Sequence, residues 1–146
     1  GLLLRGFVDR LDVAPDGAMR VVAYKTGRSP GTRFMEEALF QMRFYALVLW
    51  RLRGRAPARL QLVYLKDGRA LTHDPRLPEL ERTETRLAHL WDEVEDCART
   101  GSFRPHRSRL CDSCAFQAQC PLFGGTTPQV PDDGIARLLT ARRATA

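Results

Sequence analysis

Ala14-Pro15-Asp16-Gly17 separates two runs of strand composition, residues 8–13 and 18–25, and a turn of this chemistry leaves few ways to pair them. A three-residue loop, Pro15 to Gly17, with Gly17 in the left-handed conformation closes a hairpin in which Ala14 faces Ala18. Counting back, Asp9 faces position 23. Opposed residues carry Cβ atoms about 4.5–5.5 Å apart, and side chains alternate between faces. Asp9, position 23 and Lys25 therefore share one face and Asp12 lies on the other. A slip of one residue would scramble that set, so the turn decides it.

Two carboxylates at that separation would hold Mg²⁺ or Mn²⁺ between them, leaving positions for water and a phosphate oxygen. A lysine two residues along could orient or deprotonate the attacking water and offset charge developing on phosphate. Those are the parts of phosphodiester hydrolysis. Position 23 is an alanine, so one carboxylate is missing.

The remaining elements follow from period and punctuation. Residues 31–54 form a long, nearly breaker-free stretch that ends in arginines and Gly54, a predicted helix. The run "ARLQLVYLKDGRALTHD" reads as a second hairpin with Asp67-Gly68 as its tight turn. Leu80, Leu87, Leu90, Trp91 and Val94 keep helical spacing in a second helix that Gly101 stops. Residues 102–121 are irregular, basic and cysteine-rich, and a Gly-, Thr- and Pro-rich linker then leads to an arginine-bearing tail that reads as a weakly held helix. The order β-β-α-β-β-α predicts an α/β domain on a mixed sheet.

With 146 residues, 44% of them hydrophobic, the chain is long enough to bury a core. No apolar run approaches the ~20 residues that cross a bilayer, so no membrane partner is expected. The opening "GLLLRG" is too short for the apolar region of a signal peptide, which makes a reducing cytoplasm the expected location. The chain starts at Gly1, already in strand-like sequence, and reads as a piece of something longer. Net charge is +6, and 21 of the 23 basic residues are arginine, with only Lys25 and Lys66 as lysines. Guanidinium forks suit a polyanion such as nucleic acid, though plain compositional bias would look the same.

"GFVDRLD" (Gly6 to Asp12), "VVAYKTG" (Val21 to Gly27) and "FQMRFYALVL" (Phe40 to Leu49) together resemble the RecB-type nucleases of the PD-(D/E)XK superfamily. The resemblance implies a restriction-endonuclease-like mixed sheet flanked by helices. It also implies a metal-dependent DNA exonuclease working in repair or recombination, in company with a helicase or other repair protein. It makes Asp9 a Mg or Mn ligand and Lys25 the catalytic lysine. Gln41 and Tyr45 fill the helical motif, four residues apart on one face. Ala23 stands where the family carries its second metal-binding aspartate, so the site is expected to be disabled. A catalytically inactive DNA-binding or scaffolding module of the same fold is the alternative.

Cys111, Cys114 and Cys120 place three thiols within ten residues, a spacing that suits one metal centre and gives no sensible disulfide framework in a reducing compartment. With His106 they would make a Cys₃His zinc set. Cys97 follows Val94 by three on the apolar face of the second helix and reads as core packing. Arg104, Arg107 and Arg109 beside the triplet would meet a DNA backbone well, or stand as solvated charge. The triplet also resembles an iron-sulfur subset of the RecB-type nucleases, including the AddB and CRISPR-adaptation nuclease domains. That resemblance implies a 4Fe-4S cluster, with four thiolate ligands expected. The fourth is expected upstream of Gly1, with Cys97 or His106 as alternatives. The expected domains are a nuclease core at 1–101 that lacks the family's upstream part, a cysteine-rich lobe at 102–123, and a linker and tail at 124–146.

Overall fold

The computed structural model describes residues 2–29, 31 and 35–140. These fall into two compact units, residues 4–88 and residues 89–146 with 1–3. In the first unit, β1 (Arg10–Val13), β2 (Met19–Lys25), β3 (Arg59–Tyr64) and β4 (Arg69–His73) form one sheet in that order. β1 and β2 are antiparallel, as are β3 and β4, while β2 and β3 run parallel. Parallel neighbours need a crossover, and α1 (Met35–Arg53) supplies it. The mixed sheet agrees with the expected class.

The first hairpin has the expected register: Arg10 faces Val22 and Asp12 faces Arg20. Ala14 N–H donates to the Ala18 carbonyl at 2.9 Å, Gly17 N–H donates to the Ala14 carbonyl at 2.8 Å, and Gly17 has φ 78°. The Asp16 carboxylate accepts the Ala18 N–H at 2.9 Å and locks the turn. β1 starts at Arg10, two residues later than its composition suggests. The second hairpin turns through four residues, 65–68, with Gly68 at φ 66°, instead of the two-residue turn expected at Asp67-Gly68. Asp67 is otherwise engaged. Its carboxylate accepts both the N–H (3.1 Å) and the hydroxyl (2.6 Å) of Ser29, tying the β3–β4 turn to the loop after β2.

α1 begins at Met35, with Gly31 outside it; the part of the expected helix at 32–34 lies outside the described residues. Glu36 and Glu37 sit in its first turn and Arg51 and Arg53 in its last, matching the helix dipole at both ends. Gly54, at φ 68°, closes it by donating to the Trp50 carbonyl. Ala38, Met42, Tyr45, Ala46 and Leu49 form a helical stripe packed on Val21, Ala23, Leu60, Leu62 and Tyr64 of the sheet. Leu80 of α2 (Leu77–Thr100) completes this core. Arg43–Glu79 and Arg51–Glu84 join α1 to α2.

The second unit holds the end of α2, three short 3₁₀ turns (Arg109–Ser113, Gln117–Gln119 and Pro121–Phe123) and α3 (Asp132–Leu139). None of residues 99–140 is buried. The helical tail expected from sequence exists as α3.

Candidate functional site

β2 ends on the residues that matter. Tyr64 of β3 lies opposite Lys25, and the Lys25 carbonyl accepts the Leu65 N–H at 2.8 Å, so the strand end is fixed from the parallel side. Lys25 Nζ donates to Gln41 Oε1 at 2.6 Å, and Gln41 Nε2 donates to Tyr45 Oη at 3.0 Å. Gln41 and Tyr45 are one turn apart on α1, so a strand-end ammonium, a side-chain amide and a phenol form one chain. The oxygen that holds Lys25 is neutral, which leaves its positive charge uncompensated at that contact.

Asp9 reaches the same strand end by a different route. A ladder paired at Arg10–Val22 would continue with Tyr24 N–H donating to the carbonyl of residue 8. Instead the Asp9 carboxylate takes that N–H, with Oδ2 at 2.9 Å. This is why β1 stops at Arg10. The side chain sits on the peptide that follows Ala23, and Oδ1 makes no hydrogen bond among the described residues. Gly6 lies close against α1: a Cβ there would stand 3.0 Å from Tyr45 Cε1 and 3.2 Å from Phe44 Cε1. The bare backbone of residue 6 thus packs against the motif helix.

Ala23 is 4% exposed and belongs to the core cluster with Val21, Met42 and Leu62. Asp12, on the opposite face, is held by Arg10 and Arg20; hydrogen bonds from these two guanidinium groups, Arg10 first, hold its carboxyl below the usual range. Among the described residues, the donor set for a divalent metal at this strand end is therefore a single carboxylate. Among the described residues no three His, Cys, Asp or Glu side chains stand close enough to hold a metal ion. One aspartate beside a buried methyl does not fit a tightly held Mg²⁺ or Mn²⁺.

The cysteines are half-buried at 97, 111 and 120 and exposed at 114, all as free thiols. Cys111 Sγ is turned back on its own 3₁₀ turn, accepting the Ser108 N–H at 3.4 Å and lying 4.0 Å from the His106 carbonyl. The thiols are not assembled into a centre as they stand. Arg104, Arg107 and Arg109 are all exposed, and the Arg107 guanidinium lies 5.5 Å from the Phe123 ring centroid. Sequence reasoning missed the network of Glu36, Arg43, Glu79 and His73. No local signal marks it, because its members come from α1, β4 and α2.

A Mycobacterium phage L5 protein described as "Gene 69 protein" is 29% identical to this chain over 126 residues. The match covers 84% of the chain and 41% of the phage protein, so the chain spans well under half of that relative. No solved structure matches. The family model of the PD-(D/E)XK nuclease superfamily matches residues 1–121, taking in the whole sheet, α1 and α2, and to that superfamily the chain belongs.

Proposed function

We propose that the chain is the nuclease domain of a RecB-type, metal-dependent DNA exonuclease whose metal site is disabled at Ala23. The observation that carries this is the convergence of Asp9 on the Tyr24 amide and of Lys25 on Gln41, which in turn holds Tyr45, around a strand end whose expected second carboxylate is a buried methyl. A divalent ion, bound between Asp9 and a carboxylate at position 23, would supply an activated water and a counter-charge for phosphate. Lys25, held by a neutral amide, is placed to stabilise a phosphate oxygen electrostatically. Tyr45 offers a ring on which a base could stack.

The cysteine-rich segment is proposed to carry a 4Fe-4S cluster on Cys111, Cys114 and Cys120. The fourth ligand would come from a cysteine N-terminal to the first hairpin, with Cys97, or a zinc set including His106, as the alternatives. Residues 99–140 bury no side chain, so no apolar core holds that segment, and metal ligation supplies folding free energy where a core cannot. Anaerobic reconstitution should give a brown protein with stoichiometric iron and sulfide. Zinc without iron would favour the zinc set.

Among the described residues no helix is long and apolar enough to cross a membrane. The proposed setting is the cytoplasm, with DNA as partner and a helicase or other repair protein alongside. Ala23 also favours a second reading, a DNA-binding or scaffolding module that has kept its groove and lost its chemistry. Digestion of linear DNA with Mn²⁺ separates these readings. The chain should show little or no cleavage, and Ala23→Asp should restore cleavage that chelator and Lys25→Ala both abolish. Full activity without the substitution would overturn the disabled-site proposal, and an inert Ala23→Asp would favour the scaffold.

A further inference from the structure

Between α1 and α2, within residues 4–88, lies a cleft of about 290 Å³ lined by Phe40, Arg43, Glu79, Arg82, Thr83 and Arg86. Helical periodicity puts Phe40 and Arg43 on the flank of α1 away from Gln41 and Tyr45, so the cleft is separate from the Lys25 site. Its charges are uneven. Glu79 is committed to Arg43 and accepts from His73 Nε2 at 2.8 Å; burial works against its charge, but the bonds from His73 and Arg43 outweigh that and hold its carboxyl below the usual range. Arg43 is shared with Glu36 at 3.1 Å. Arg82 and Arg86 have no carboxylate partner among the described residues. They stand one turn apart on α2, a spacing at which like charges repel.

Arg86 lies with its Cζ 5.0 Å from the Phe40 ring centroid. Among the described residues neither the Arg86 nor the Arg82 guanidinium donates to a protein acceptor, so both keep N–H donors to offer, one turn apart on α2. Planar forks of this kind match phosphate oxygens in a way ammonium groups do not. We infer that this cleft is a phosphate-ester site in which Arg82 and Arg86 clamp one phosphate. The phosphate could belong to a nucleic-acid strand or to a free nucleotide. The strand case rests on the proposed DNA function; the nucleotide case does not.

Three probes decide it: a labelled oligothymidylate, thymidine monophosphate and inorganic phosphate, each titrated into the intact chain and into Arg82→Ala/Arg86→Ala. Both arginines are exposed, so the variant should fold, as a thermal melt would check. If a strand phosphate is clamped, the variant binds oligothymidylate more weakly, and the slope of log affinity against log salt falls by about 0.7, the value for one phosphate on a single strand. If the source is a free ester, binding of thymidine monophosphate or phosphate disappears in the variant. Arg53→Ala/Arg55→Ala removes the same charge from the last residue of α1 and the loop just after it, and should leave the small-ligand binding intact. Equal losses in the two double variants, or no change with any probe, would overturn the site. A wild-type chain that ignores oligothymidylate would count against the DNA reading alone, and the two small ligands would still decide whether the cleft binds phosphate.

Discussion

Lys25 Nζ and Gln41 Oε1 meet at 2.6 Å, joining the end of a central strand to the middle of the helix that crosses over it. Because Gln41 also donates to Tyr45 at 3.0 Å, the amide is fixed at both of its ends. The lysine is thereby held without being neutralised, as its proposed role toward phosphate requires.

Gln41→Leu removes both bonds and leaves two half-exposed polar groups for water to satisfy. The expected loss is about 0.5–1.5 kcal/mol, read as a lower urea midpoint. Gln41→Glu, which keeps an acceptor for Lys25, should recover most of it. Equal midpoints for wild type and Gln41→Leu would mean the chain of bonds does not persist in solution.

Gly6→Ala places a methyl 3.0 Å from Tyr45 Cε1, closer than an ordinary contact. The tyrosine ring must shift, at a cost of about 1–3 kcal/mol, and Tyr45 should part from Gln41. Thermal melts of Gly6→Ala and of Gly6→Ala/Tyr45→Ala check this. The double variant should show a smaller penalty from the added methyl than the single variant does against wild-type Tyr45.

Glu79 carries the acid sensitivity of the α1–α2 junction. Burial opposes its charge, but the bonds from His73 and Arg43 outweigh that and hold its carboxyl below the ordinary 4.5. A depressed carboxyl stabilises the fold above its unfolded value, and that contribution is lost as pH falls from about 4.5 through the lower folded value. Glu79→Gln should be less stable than wild type at pH 7, and the gap should close below that window. A gap of constant size across the acid range would assign the loss to packing instead of charge.

The register of β1 on β2 was legible because Pro15-Asp16-Gly17 is a local signal and alternation then propagates it, residue by residue, from the turn to Val22. Both long helices were legible for the same reason, through period and end residues. What could not be read is where side chains displace backbone. Asp9 taking the Tyr24 amide shortens β1, and Ser29 capturing Asp67 widens the second turn. Each joins residues far apart in sequence, and neither changes the local pattern. Gly6 was visible as a letter of a motif, but its use, letting the chain lie against Tyr45, belongs to packing alone.

Arg104, Arg107 and Arg109 are exposed, with the Arg107 Cζ 5.5 Å from the Phe123 ring centroid. If all three neutralise DNA phosphates, replacing them together by alanine should flatten the log affinity–log salt slope by roughly two to three units, at about 0.7–0.9 per phosphate. An unchanged slope would leave them as a solvated face, with no part in holding DNA.

Everything proposed for the Lys25 site turns on Ala23, a methyl buried to 4% exposure among Val21, Met42 and Leu62. Ala23→Asp buries a carboxylate there, which without metal should lower the melting temperature, since an unpaired buried charge is costly. A divalent ion shared with Asp9 offsets that cost, and ligand at one hundred times its dissociation constant stabilises a fold by about 2.7 kcal/mol. Calorimetric titration of Mn²⁺ into both chains is the direct measurement. The expected result is no resolvable binding to the chain as it stands and one site on Ala23→Asp, lost again when Asp9 is replaced by asparagine. Equal Mn²⁺ binding by both chains, or one site that survives Asp9→Asn, would contradict a metal centre built on Asp9 and position 23.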